Sequence, residues 1–288
     1  MQTTEVARAV AAATSTGIEL DLTVDDAIVL HDSNRLVLRL MPCDIVARIA
    51  PFAHAGAQLE VELAQRLADT ESPVCALEPR VAPCVHERDG FEITLWTYYE
   101  HVPSRELSSA DYAHALERLH AGMRKVDLRP PHFMDRVADS QQVVASRDVT
   151  PALGDADREL LSSTLRSLRR AVGDRGATEH LLHGEPHPGN VLSTKNGPLF
   201  IDLENSVRGP IEFDLAWVPE EVSKRYPDAD QELVGECRGL MLAIVAACRW
   251  RRDDHHPSGR QSGTEFLSAL REGPPWPAVD DVGRRLGA

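Results

Sequence analysis

The chain has 288 residues, and 31 Lys+Arg against 45 Asp+Glu leave a formal net charge of −14. With 42% hydrophobic and 26% charged residues, it is neither a disordered nor a membrane-embedded chain. The longest apolar run, Leu240 to Cys248, covers about half a bilayer crossing and is fenced by Arg238 and Arg249.

So acidic a chain is a poor nonspecific nucleic-acid binder and leaves room for cationic ligands. The N-terminal Ala/Val stretch contains Glu5 and Arg8 and has no basic start, so no secretion signal is expected. Cys43, Cys75, Cys84, Cys237 and Cys248 lack CxxC spacing and read as buried thiols in a reducing cytoplasm. Lysine occurs only at Lys125, Lys195 and Lys224. A long cation needed before position 125 must therefore be an arginine.

In chain order, LVLRL (36–40) and IVARI (45–49) predict a hairpin across the turn Met41–Asp44. Leu59, Leu63 and Leu67 predict a helix over 57–68 behind Gly56. RVAPCVHE (80–87) and FEITLWTYY (91–99) read as two strands joined by Asp89-Gly90, a tight-turn dipeptide. Beyond His101-Val102-Pro103-Ser104 the pattern becomes helical. Tyr112, Ala115, Leu116, Leu119 and Met123 form one apolar face behind a Ser108 or Ser109 cap. Leu160, Leu161, Leu165, Leu168 and Val172 form a second, and Leu233 to Cys248 the most regular. Residues 253–263 read as a mobile loop. An α+β chain follows, with a β-rich lobe over 1–100 and a mostly helical lobe over 101–288.

The chemistry concentrates in residues 181–217. Asn196-Gly197 predicts a two-residue hairpin turn, which sets Lys195 against Pro198 and Val191 against Asp202. Asn190 and Asp202 then meet at the open end, an amide oxygen beside a carboxylate. Few, hard oxygen ligands suit Mg²⁺ held partly by substrate phosphates. Glu185 precedes Pro186, Pro188 and Gly189, so it belongs to a loop rather than a helix. One carboxylate beside such a metal site is the arrangement of phosphoryl transfer, where positioning and charge neutralisation do most of the catalysis.

His183-Gly184-Glu185, Asn190, Ile201-Asp202, Gly209-Pro210 and Asp214-Leu215-Ala216 match in order and spacing a known pattern. The chain resembles the aminoglycoside phosphotransferase family over nearly its full length. The resemblance implies a protein-kinase-like two-lobe fold with ATP between the lobes. It implies Glu185 as the catalytic base, Asn190 and Asp202 as Mg²⁺ ligands, Asp214 as a brace of the catalytic loop and His183 as its support. In the first lobe it implies Arg48 on the nucleotide phosphates, aimed by Glu60 in preference to Glu62. Ser33 and Asn34 fall where a phosphate-covering loop belongs, and Leu95-Trp96-Thr97-Tyr98 where backbone groups hold adenine. The partner would be a small hydroxylated molecule, with no nucleic acid and no membrane. Asp228, Asp230, Glu232, Asp253 and Asp254 would receive an amine-bearing acceptor, or else form a solvated face.

Two residues depart from the pattern. Glu185 stands where aspartate is usual and adds one methylene, and Arg48 stands where lysine is usual. Those departures motivate a second reading, a nucleotide-binding pseudokinase. A zinc hydrolase built on His183 and His187 would need both on one helical face, which Gly184 and the prolines oppose.

Overall fold

The structure is a computed structural model that describes residues 3–32, 35–52, 56–102, 107–254, 256 and 258–284. The elements are α1 (Thr3–Glu19), β1 (Val24–Asp32), β2 (Leu36–Pro42), β3 (Ile45–Pro51), α2 (Ala57–Leu67), β4 (His86–Arg88) and β5 (Phe91–Thr97). They continue with α3 (Ser109–Met123), α4 (Phe133–Ala145), α5 (Asp155–Asp174), β6 (His180–Leu182), β7 (Val191–Thr194), β8 (Gly197–Phe200) and β9 (Val207–Gly209). Last come α6 (Ile211–Leu215), α7 (Glu220–Ser223), α8 (Gln231–Arg249), α9 (Gly259–Glu272) and α10 (Val279–Arg284). The chain divides into two compact units, 1–106 with 192–205, and 107–191 with 206–288.

The first unit is a five-stranded sheet in the order β1-β2-β3-β5-β4, and every pair in it is antiparallel. Alternation sets its two faces. Leu36, Leu38 and Leu40 of β2 oppose Ile49, Ala47 and Ile45 of β3, and all six are fully buried. Ala9, Ala12 and Ala13 of α1 pack on that face, small enough to bring the helix close to the sheet. The Asp89-Gly90 turn forms as expected, with φ of 52° and 85° at its two residues, as a type I′ turn requires.

Three expectations fail in detail. Residues 80–87 form strand only from His86 on, because Pro83 cannot donate to a ladder. The β7–β8 turn is Lys195-Asn196, one residue earlier than Asn196-Gly197. Thr194 fixes it by accepting from the Asn196 N–H (3.1 Å) and donating to the Gly197 carbonyl (2.7 Å), while Gly197 itself takes φ 111°. The cysteines are not uniformly buried, since Cys84 and Cys248 are exposed.

The second unit is built around α8, whose apolar face from Leu233 to Ala247 is almost wholly buried. Leu161, Leu165, Leu168 and Val172 of α5 join it, each worth about 1.5–3 kcal/mol on burial. Ser108 caps α3 by accepting from the Asp111 N–H at 3.0 Å. Phe213 of α6 stacks against Phe133 at the start of α4, 5.1 Å between ring centres. The short β6–β9 pair joins His180 to Gly209 and Leu182 to Val207. The expected loop over 253–263 ends early, because α9 begins at Gly259 and buries Ser262, Gly263 and Phe266. Among the described residues no helix is long and apolar enough to cross a membrane.

Candidate active site

In the first unit, Arg48 lies on β3 opposite Val37 on one side and Thr94 on the other. The alternation that turns Ile45, Ala47 and Ile49 toward α1 turns Arg48 to the opposite face. There its guanidinium pairs with Glu60 of α2 and, at 2.6 Å, with Asp202. Its head is therefore paired within the protein rather than spread into solvent. Glu60 has no exposed surface, accepts from the Leu203 N–H at 3.2 Å and faces Arg35 at 3.5 Å. Arg35 also pairs with Glu204. Glu62 instead pairs with Arg66 on the surface of its own helix.

Two arginines and three carboxylates thus alternate in one cluster. Burial works against the Arg48 charge, but Glu60 and Asp202 outweigh it and hold the guanidinium above its ordinary value. Burial pushes the Glu60 carboxyl up, against the pull of Arg48 and Arg35. Arg35 is moved the other way from Arg48, lowered by burial, with Glu60 opposing.

The backbone is specialised at the same place. Gly56 has φ 122°, and a Cβ there would stand 2.9 Å from the Glu204 Cβ, so the entry to α2 needs a glycine. Asp202 takes φ 68°, the left-handed region that aspartate tolerates better than bulkier residues. Carboxylate oxygens of Glu60, Asp202 and Glu204 all lie within 4.8 Å of one another.

The remaining first-unit candidates fall elsewhere. Ser33 and Asn34 lie outside the described residues. Trp96 is a core residue, 5% exposed, whose indole N–H donates to Thr94. The Leu95 carbonyl accepts from the Glu78 N–H and the Thr97 N–H donates to Ala76, so any free connector backbone starts at Tyr98. The Tyr98 ring lies under Arg39, 3.8 Å from its guanidinium carbon.

In the second unit, β6 leads straight into His183-Gly184-Glu185. Gly184 bends the chain with φ 87°. Asp214, fully buried, accepts from the His183 N–H at 2.9 Å and the Gly184 N–H at 2.8 Å. Its second partner set runs through His120, whose Nε2 is 2.9 Å from Asp214 and whose Nδ1 is 2.9 Å from the Tyr226 hydroxyl. Burial pushes the Tyr226 phenol up to about 12. Asp214 lies inside α6, with Pro210 at the cap position.

His183 is buried and its Nδ1 accepts from the Glu185 N–H at 3.3 Å. The Glu185 carboxylate is partly exposed and meets Arg136 of α4 at 3.3 Å; Arg136 also donates to the Gly184 carbonyl at 3.4 Å. Asn190 donates its amide to the Glu185 carbonyl at 3.0 Å, and Tyr112 bonds the Pro186 carbonyl. His187 caps the short turn Pro188–Asn190. Residues 183–187 form no helix, so the zinc-hydrolase geometry fails.

Asn190 belongs to the second unit and Asp202 to the first. Within the first unit the donors around Asp202 are all carboxylate oxygens, those of Asp202 itself, Glu204 and Glu60. Such a set fits a hard divalent cation and not a thiophilic one.

Sequence reasoning missed Arg35, Glu204, His120, Tyr112 and Arg136. Glu204 carried a usable signal, two residues after Asp202 on the same segment. His120 is a buried histidine whose partner Asp214 is 94 residues away and invisible locally. Arg136 stands in no pattern at all.

A profile of the phosphotransferase enzyme family matches residues 24–237, and the chain belongs to that family. Solved structures agree on a kinase-like fold. The amicoumacin kinase hAmiN, solved with AMP-PNP, Ca²⁺ and Ami, matches with a TM-score of 0.69 at 10% identity, covering 96% of this chain and 98% of that one. A thermostable mutant of the aminoglycoside phosphotransferase APH(4)-Ia in its apo form gives 0.64 at 15% identity, covering 96% and 99%. A putative fructosamine-3-kinase from Haemophilus somnus 129PT gives 0.64 at 11% identity, covering 90% and 97%. No curated protein matches the sequence. The resemblance carried by residues 183–216 is therefore borne out as family membership.

Proposed function

We propose that this protein is a kinase that moves the γ-phosphoryl group of ATP to a hydroxyl of a small molecule. The observation that carries the reading is the Arg48 clamp. A fully buried Glu60 aims a strand guanidinium at Asp202, a residue 154 positions away in sequence. A cation so aimed suits phosphate oxygens, which arginine can grip bidentately.

Asn190 and Asp202, with Glu204 near, would hold Mg²⁺, whose charge would neutralise the β- and γ-phosphate oxygens. Glu185 takes the acceptor's proton. The acceptor oxygen bonds to the γ-phosphorus, the bond from that phosphorus to the ADP oxygen breaks, and the hydroxyl proton passes to the Glu185 carboxylate. Arg136 orients that carboxylate. Asp214 fixes the backbone of the two preceding residues, so the extra methylene of Glu185 starts from a rigid loop.

A second reading rests on the Asp202–Arg48 pair, which already occupies one carboxylate oxygen. If that pair persists with nucleotide, the protein is a nucleotide-binding pseudokinase. One measurement tests both readings and a second separates them. A rise in melting temperature with Mg·ATP is expected under both. ADP release that depends on an added hydroxylated compound is expected only of the kinase. No Mg·ATP response would overturn both.

A further inference from the structure

The acidic residues that would receive an amine-bearing acceptor are largely engaged within the protein. Arg175 gathers Asp230, Glu232 and Glu236, at 3.4, 3.3 and 2.9 Å. Asp230 also caps α8. Arg251 grips Asp253 through two bonds of 2.9 and 2.8 Å, and Arg249 holds Asp254 at 2.9 Å. Each of these carboxylates has an internal counter-charge, so little acidic field remains there for a cationic sugar.

The C-terminal end of α8, beyond Arg249, opens instead onto a cationic cavity. It has a volume of about 310 Å³ and is lined by Arg249, Arg251, Arg260, His256, Gln261 and Asp254. Three guanidinium groups face one carboxylate. Burial and then Arg249 lower the His256 imidazole, so it sits there mainly as a neutral ring at pH 7. Arg260 lies over the Trp250 ring with its central carbon 4.8 Å from the ring centre. Stacking leaves the guanidinium edge free to meet a planar or tetrahedral oxyanion. Among the described residues no carboxylate pairs with Arg260. The first turn of α9 completes the wall, and no side chain caps it.

We propose that this cavity binds the anionic group of the phosphoryl acceptor, making the substrate a hydroxylated molecule that carries a carboxylate or phosphate. The proposal rests on the kinase reading above and gives that reading its substrate class. A carboxylate or phosphate placed here trades water for the Arg260 guanidinium, flanked by Arg249 and Arg251 in their pairs with Asp254 and Asp253, whereas an ammonium group meets net positive charge.

The test is a charge series on one carbon skeleton, D-gluconate, D-glucose and D-glucosamine, with inorganic phosphate alongside. Melting temperatures of the full chain are read at constant ionic strength in chloride, with and without Mg·ATP. Gluconate or phosphate should stabilise the protein at concentrations where glucose and glucosamine do not. Arg260→Gln, at an exposed position, should weaken that response at least tenfold in apparent Kd while leaving the Mg·ATP response intact. Arg251→Gln should do the same to a smaller degree. Stabilisation by glucosamine equal to that by gluconate overturns the proposal. So does no response to either anion, or an Arg260→Gln protein that responds like the wild type. If Mg·ATP stabilises the protein and the anions do not, only the acceptor assignment falls. If the anions bind and Mg·ATP does not, the kinase reading falls instead.

Discussion

In the first unit Arg35, Arg48, Glu60, Asp202 and Glu204 hold one another as a chain of buried and half-buried ion pairs. In the second, Asp214 is held by two backbone N–H groups and a histidine, and the one carboxylate aimed outward, Glu185, is partly exposed beside Arg136. The first arrangement is self-neutralising, and removing any member strands a charge in a poorly solvated place. The second fixes a backbone and presents a partly exposed carboxylate paired with Arg136. Charge in the former holds a buried cluster together; on the reading proposed above, charge in the latter serves the transfer.

That contrast breaks most sharply at Glu185. Glu185→Gln is expected to lower turnover by about 10²–10⁴, the usual worth of general-base catalysis, with Mg·ATP binding and melting temperature nearly unchanged. A variant that turns over like the wild type would remove Glu185 from the reaction. Glu60→Ala should do the reverse. Stranding two arginines costs about 3–5 kcal/mol, readable as a lowered urea midpoint, while Glu62→Ala on the same helix should move it little.

Asp214→Asn keeps the shape but loses one charge-assisted acceptor for the His183 and Gly184 amides. A loss of about 1–3 kcal/mol is expected, with turnover falling through the loop rather than through nucleotide affinity. The smallest effect concerns Glu179, which bonds His132 at 2.8 Å and Arg208 at 2.9 Å. The His132 hydrogen bond, and the charges of His132 and Arg208, hold its carboxyl below the ordinary 4.5. A depressed folded-state value means stability that is present above 4.5 and lost as pH falls through the lower folded value. Melting temperature should therefore decline below pH 4.5 less steeply in Glu179→Gln than in the wild type. The pair is exposed, so the difference should be slight.

Local signals made much of this legible. Alternation in LVLRL and IVARI gave the strands and their facing, the Asp89-Gly90 dipeptide gave a turn, and the repeat from Leu233 on gave α8. Other elements carried weak local signals. β1 is an edge strand whose Ile28, Val29 and Leu30 are all about half exposed, so no burial alternation marks it. α9 starts in a polar stretch and earns its helix by packing against α8. At the site, the spacing from His183 to Ala216 named the principal candidates. It missed Arg35, His120 and Arg136, because each matters only through a partner far away in the chain. The stretch Leu95–Tyr98 was read as a connector with backbone groups for adenine, but the Leu95 carbonyl and the Thr97 N–H are used by Glu78 and Ala76, partners that no local pattern announces.

The membership of residues 192–205 in the first unit bears on how the protein is made. A nascent chain that ends at residue 106 has the sheet and α2, but no Asp202 for Arg48, no Leu203 amide for Glu60 and no Glu204 for Arg35. Those three partners emerge from the ribosome only after about half of the second unit, several seconds later at ordinary synthesis rates. Until then two arginines and a glutamate must wait in water, so the first unit cannot close its charged cluster by folding in the order in which it is translated.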